Sequence, residues 1–299
     1  MTDGGPLTGP DDLRRRLDTE DHLVDDGLAT ALHLALDLGL PLLLEGEPGV
    51  GKTGAALALA RVQGAALLRL QCYEGLGPEQ ALYEWNYQRQ LLAIRLAESR
   101  GEPLTDARLF TEDYLEERPL LQALRSSGGP PPVLLIDEID RADDEFEALL
   151  LEFLGEQSIS IPELGTVRAA GPLVVVLTSN RSRDLHDALR RRCLYHWIDY
   201  PDPEQVARIV RRKVSGASTA LADLIATSVA RFRGMDLDKQ PGLAEAIDWT
   251  RVLVSLGLAD GIVDSTVDTA RLESTLGAVA KTVDDREVLR RAMLDGRLG

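Results

Sequence analysis

Apolar residues are arranged along this chain in two ways. In the first two thirds they form short continuous runs: Leu40 to Leu44, Ala66 to Gln71, Val133 to Ile136, Leu173 to Thr178 and Leu194 to Ile198. A run without polar alternation is the mark of a strand covered on both faces. Helical stretches separate the runs: Asp25 to Leu38, the Ala-rich Gly54 to Val62, and Pro78 to Arg100, the last read as one long helix. Strands alternating with helices imply a parallel sheet, because each crossover carries the chain back over one face.

After Pro201-Asp-Pro203 the pattern changes to helices alone, with apolar spacing in Glu204 to Val214, Leu221 to Phe232, Leu243 to Leu256 and Val267 to Val283. Residues 1–10 are rich in Gly, Pro and Thr and show no period. The expected organisation is a mobile tail over 1–10, an α/β core over 11–201 and an all-α domain over 202–299.

Composition narrows the classes. A chain of 299 residues with 44% hydrophobic content can bury a substantial core. Its net charge of −16 is spread over mixed-sign stretches, as on solvated faces, and an acidic surface repels phosphate backbones. Nucleic acid is therefore an unlikely partner on charge grounds. Cys72 and Cys193 are too few for a disulfide framework or a thiolate metal site, and His22, His33, His186 and His196 lack ligand spacing. The N-terminal segment has no apolar signal core, and no nearby run could span a bilayer. A soluble, cytoplasmic protein without membrane contact is expected.

The candidate chemistry begins at Gly46-Glu-Pro-Gly-Val-Gly-Lys-Thr53, which fits the P-loop pattern and lies between an expected strand and an expected helix. Gly46, Glu47, Pro48, Gly49, Val50, Gly51, Lys52, Thr53 and Gly54 form the expected phosphate cradle. Backbone N–H groups there can converge on one anion at the positive end of the next helix. Lys52 would reach the β- and γ-phosphates of ATP, and Thr53 would offer a hydroxyl to Mg²⁺. The second element is Val133-Leu-Leu-Ile-Asp137-Glu138, an apolar strand ending in two acids. Asp137 suits the metal, and Glu138 suits a base that polarises the attacking water.

At Asp137-Glu138-Ile-Asp140-Arg-Ala the chain resembles AAA+ ATPases of the MoxR group. The helix Glu147-Ala-Leu-Leu-Leu-Glu152 and the segment Ile159-Ser-Ile-Pro-Glu-Leu-Gly165 are similar to that group's helix and inserted hairpin before the fourth core strand. Within the group, Leu70-Gln-Cys-Tyr-Glu74, Ala81-Leu-Tyr-Glu-Trp-Asn86 and the stretch His186 to Ile198 look most like the CoxD accessory ATPases encoded beside carbon-monoxide dehydrogenase. The likeness runs over residues 20–260.

The resemblance implies a P-loop NTPase with a five-stranded parallel sheet, the AAA+ core, followed by a smaller all-α lid. It implies a sensor at Asn180, orienting the attacking water, and an arginine finger at Arg192 that reaches the ATP of a neighbouring subunit. Arg190 and Arg191 stay open as alternatives for the finger. Leu243-Ala-Glu-Ala246 has an acid where relatives place a lid arginine, which leaves Arg251 as a substitute candidate for the second sensor. Tyr83, Trp85 and Tyr87 surround an insertion that is substrate-facing in relatives, and aromatic packing explains them equally well. The function implied is ATP-driven, chaperone-like remodelling by a homo-oligomeric, hexameric ring. Its protein client would be a metalloenzyme of the molybdenum hydroxylase or CO dehydrogenase type, with a von Willebrand A domain partner. The alternatives are a nucleic-acid motor or loader and a nucleotide-gated binding module with slow hydrolysis.

Overall fold

The computed structural model describes residues 5–101, 106–162, 165–259 and 269–294. The chain divides into two compact units. One comprises Met1–Leu13, Asp26–Glu45 and Ala55–Trp197; the other comprises Arg14–Asp25, Gly46–Gly54 and Ile198–Gly299.

The first unit is built on a five-stranded sheet. Its strands are β1 (Leu42–Gly46), β2 (Leu67–Gln71), β5 (Val133–Asp137), β8 (Val174–Ser179) and β9 (Leu194–Ile198), in the order β2-β5-β8-β1-β9. The pairs β2–β5, β5–β8 and β8–β1 run parallel, with Leu68 beside Leu134, Leu135 beside Val176 and Leu44 beside Thr178. β1, β5 and β8 are buried along their whole length, as their uninterrupted apolar runs require. Leu134, Ile136 and Leu177 pack with Phe146, Leu150 and Phe153 of helix α8 (Asp144–Glu156) and with Leu120 and Leu124 of α7 (Pro119–Arg125). Edge strand β2 differs: Leu70 is buried, while Arg69 and Gln71 stand exposed on the opposite face. Parallel register brings Glu45, Asp137 and Ser179 to one edge of the sheet, the carboxyl edge where open α/β sheets bind ligands.

The expected long helix over Pro78 to Arg100 is broken. Helix α4 (Pro78–Leu82) gives way to β3 (Tyr83–Trp85), paired antiparallel with β4 (Leu115–Glu117), before α5 (Tyr87–Arg100) begins. Two forces interrupt the helix. Trp85 makes edge-to-face contacts with Tyr83 at 5.7 Å and Phe110 at 5.2 Å, and Asn86 caps the new helix by accepting the Arg89 N–H at 2.9 Å. An inserted hairpin, β6 (Ser158–Ile161) against β7 (Gly165–Arg168), follows α8.

The second unit carries α10 (Pro203–Lys213), α11 (Thr219–Arg233), α12 (Leu243–Ser255) and the helices Thr269–Glu273 and Val283–Leu294. Asp202 and Ser218 cap α10 and α11, accepting N–H bonds at 2.8 and 3.1 Å. Val210, Ile225, Phe232, Trp249, Leu253 and Leu276 fill its core. The expected helix over Val267 to Val283 is corrected: residues 267 and 268 lie outside the described residues, and the chain after Glu273 turns through the 3-10 segment Leu276–Ala278. Thr275 anchors the break, accepting the Trp249 indole N–H at 2.9 Å and donating to the Leu272 carbonyl at 2.7 Å. Among the described residues no helix is long and apolar enough to cross a membrane.

Candidate functional site

β1 runs straight into the glycine-rich loop, and helix α3 (Lys52–Gln63) leaves it. The loop fits an anion cradle on steric evidence. A Cβ at Gly46 would lie 2.5 Å from the Ile198 carbonyl oxygen, and Gly49 and Gly51 take φ of +81° and +102°. Such backbone turns N–H groups inward and excludes side chains from the concavity. Lys52 is buried, and its ammonium donates to the carbonyls of Gly46 at 2.7 Å and Glu47 at 2.8 Å.

Two neighbours brace the loop within the second unit. His22 packs on it, with Cε1 3.2 Å from where a Cβ of Gly54 would stand. Burial, then the nearby Lys213 charge, pushes the His22 pKa down to about 4, so the imidazole is neutral at pH 7. Arg233 pairs with Glu47, donates to the Pro241 carbonyl at 3.0 Å and lies 3.9 Å over the Tyr200 ring. A cavity of about 670 Å³ opens beside Glu47, Pro48 and Gly49, and its lining includes Lys239, Glu245 and Lys281. Lys281 Nζ stands 3.9 Å from Glu245. Arg251 is not part of that lining; it is half-exposed and pairs with Asp248 at 3.2 Å.

In the first unit the two acids meet at the end of β5. Asp137 is buried; its Oδ1 accepts the Thr178 hydroxyl at 2.6 Å, and its Oδ2 accepts Arg69 Nε at 3.1 Å and a terminal nitrogen at 2.6 Å. Glu138 sits in the left-handed region at φ 56°, a strained backbone for a residue with a Cβ. Its N–H donates to the same Thr178 hydroxyl at 2.9 Å, and its Oε2 accepts Gln71 at 3.1 Å and Arg141 at 3.0 Å.

Asp140 joins this turn to the one after β8. It accepts N–H bonds from Asn180 at 3.1 Å and Ser182 at 2.8 Å, and the Ser182 hydroxyl at 2.6 Å. Burial pushes the Asp140 carboxyl up, yet these hydrogen bonds outweigh it and hold the pKa below the usual carboxylate range. Asp140 thus ties the turn that follows Asp137 and Glu138 to the backbone of Asn180 and Ser182.

The three consecutive arginines have separate surroundings. Arg190 is bound to buried Glu45 at 2.9 Å, which also accepts Tyr195 at 3.1 Å. The Arg191 side chain is 80% exposed and pairs with Asp187 at 3.3 Å. Arg192 donates to the Leu151 carbonyl on α8 and lies against Gly155. Arg191 and Arg192 line a cavity of about 430 Å³ with Leu40, Pro41, Phe153 and Leu173.

Sequence reasoning assigned no role to Arg69, Gln71, Thr178, Asp140, Glu45 or His22. A signal existed for two of them: Arg69 and Gln71 are polar residues in a strand otherwise made of Leu.

The family model for the AAA domain, dynein-related subfamily, matches residues 41–193, just over half of the chain. The chaperone MoxR1 of Mycobacterium tuberculosis is 29% identical over 177 residues, covering 57% of this chain and 39% of that protein. Lon protease 1 of Myxococcus xanthus is 29% identical over 184 residues, covering 58% of this chain and 19% of the protease. The chain spans less than half the length of either relative. Among solved structures, the Thermotoga maritima RuvB Holliday junction branch migration motor matches with a TM-score of 0.51 at 20% identity, covering 97% of this chain and 80% of that one. That likeness is one of fold.

Proposed function

Since the chain belongs to the AAA family of ATPase domains, in its dynein-related subfamily, we propose that it hydrolyses Mg·ATP and uses the energy to remodel a protein client. The observation that carries this reading is the glycine cradle around Lys52; the Thr178-braced acids Asp137 and Glu138, within the first unit, support it separately.

Backbone N–H groups of the Gly46 to Gly54 loop, at every position but that held by Pro48, bind the phosphates, and Lys52 exchanges its loop carbonyls for phosphate oxygens. The Thr53 hydroxyl and the Asp137 carboxylate are oxygen donors suited to magnesium, which when bound supplies positive charge beside the transferred phosphoryl group. Glu138 orients and deprotonates the attacking water, with Asn180 as sensor. Arg192 is assigned the trans-acting finger, with Arg191 as the alternative; Arg190 is committed to Glu45 within its own chain. Lys239 and Lys281 are better placed than Arg251 to supply lid charge, because they line the cavity beside the P-loop.

For the assembly we propose a homo-oligomeric ring, hexameric by family analogy, in the cytoplasm. The likeness to a chaperone supports a protein client. The CoxD-like segments point to a metalloenzyme of the molybdenum hydroxylase or CO dehydrogenase type, with a von Willebrand A domain protein as partner. A nucleic-acid motor is disfavoured by the net charge of −16.

The test is ATPase activity across protein concentration, combined with mixing of Lys52→Ala and Arg192→Ala proteins. Activity that rises with concentration and recovers on mixing two inactive variants supports a shared site. Activity independent of concentration, with Arg192→Ala unimpaired, overturns the ring.

A further inference from the structure

We propose that Lys281 meets the terminal phosphate of ATP and that Glu245 holds it in reserve, so that this pair sets the preference of the site for ATP over ADP. This role rests on the reading of the Gly46 to Gly54 loop as a phosphate cradle.

Within the second unit, the acid stands against the loop. Glu245 Oε2 lies 3.8 Å from where a Cβ of Gly49 would be, and a Cβ at Gly242 would lie 3.2 Å from the Pro48 carbonyl oxygen. Lys281 Nζ is 3.9 Å from Glu245 Oε1, on the wall of the same cavity. That separation is an ion pair without a hydrogen bond, which is weak where solvent reaches it. The two partners are anchored unequally. Glu245 Oε2 accepts the Gly242 N–H at 2.9 Å, the cap of α12, so the carboxylate stays in place. Lys281 donates to the Ala278 carbonyl at 3.0 Å and its side chain is 41% exposed, so the ammonium can turn on its flexible stem.

Loop N–H groups take the inner phosphates of a nucleotide, which leaves the terminal one to side chains that flank the loop. The cavity opens there, beside Glu47, Pro48 and Gly49, and Glu47 is already paired with Arg233. Lys239 also lines it, from a segment pinned by buried Asp285, which accepts the Asp238 and Lys239 N–H groups at 2.7 and 3.2 Å. Lys281 is the lysine held by an acid that borders the loop. A phosphate carries more negative charge than one carboxylate and takes the ammonium from it.

The experiment is calorimetric titration of the full chain with ADP and with a non-hydrolysable ATP analogue, each with Mg²⁺. Lys281→Met is expected to weaken the ATP analogue about tenfold and ADP by less than about twofold, and Lys281→Arg to stay near wild type. Glu245→Gln, which can still cap α12, should tighten the ATP analogue about threefold and lose that gain in the Lys281→Met background. Equal weakening of both nucleotides by Lys281→Met, or of neither, overturns the proposal, as does a Glu245→Gln gain that persists without Lys281. Failure of the underlying reading looks different: the wild type would bind neither nucleotide, or Lys52→Ala would bind both as tightly as wild type.

Discussion

The Thr178 hydroxyl donates to Asp137 Oδ1 at 2.6 Å while accepting the backbone N–H of Glu138 at 2.9 Å. One hydroxyl on β8 thereby fixes the last residue of β5 and the strained residue that follows. Thr178→Val keeps the shape and removes both bonds. It should lower unfolding free energy by about 2 kcal/mol, measured in urea, and cut ATP turnover at least tenfold while ATP affinity holds. Wild-type turnover would show that the brace is dispensable.

Glu138 adopts φ 56° although it is not glycine. Glu138→Gly should therefore stabilise the fold by up to about 1 kcal/mol while abolishing hydrolysis. Glu138→Gln should bind ATP and not turn it over. A stable, inactive Gly variant would place backbone strain at the reacting carboxylate; a destabilised one would mean that the Gln71 and Arg141 contacts outweigh the strain.

Arg190 and Glu45 form a half-buried ion pair at 2.9 Å. Arg190→Ala leaves the Glu45 carboxylate poorly compensated and should cost about 2 kcal/mol or more, read as a lowered urea midpoint. Because the defect lies within one chain, mixing with Lys52→Ala protein should recover no activity, unlike mixing with Arg192→Ala.

His22 gives a pH signature. Its pKa falls from 6.5 to about 4 on folding, so the unfolded chain binds the extra proton between those values. The imidazole has no effect on stability above pH 6.5, and stability is lost as pH drops toward 4, by about 3 kcal/mol at most. In urea titrations across that window, His22→Phe should show a shallower slope than wild type, with carboxylates supplying the remainder.

The strand, glycine-rich loop and helix around Lys52 were legible in the sequence because they follow one another along the chain. β1, β5 and β8 were legible for a similar reason, each being a run buried along its whole length. The bracing was not. Thr178, Asp137 and Arg69 touch only because β5 lies between β2 and β8, and strand order is a long-range property that local pattern does not encode. The stretch Pro78 to Arg100 misled because its composition tolerates helix throughout; the β3–β4 pairing that breaks it depends on residues over 30 positions away, as between Tyr83 and Glu117. Arg251 had only its place in the chain to recommend it, whereas Lys281 reaches the cavity from a later segment.

Two glycines of the loop face obstacles of different kinds, and descent should treat them differently. At Gly46 the obstacle is a main-chain carbonyl, that of Ile198, which every residue type at that position supplies. No exchange elsewhere relieves it, so Gly46 should be invariant across an alignment of orthologues. At Gly54 the obstacle is the His22 ring. Positions 22 and 54 should therefore covary, with alanine or serine entering at 54 only in lineages where a smaller side chain has replaced the imidazole at 22.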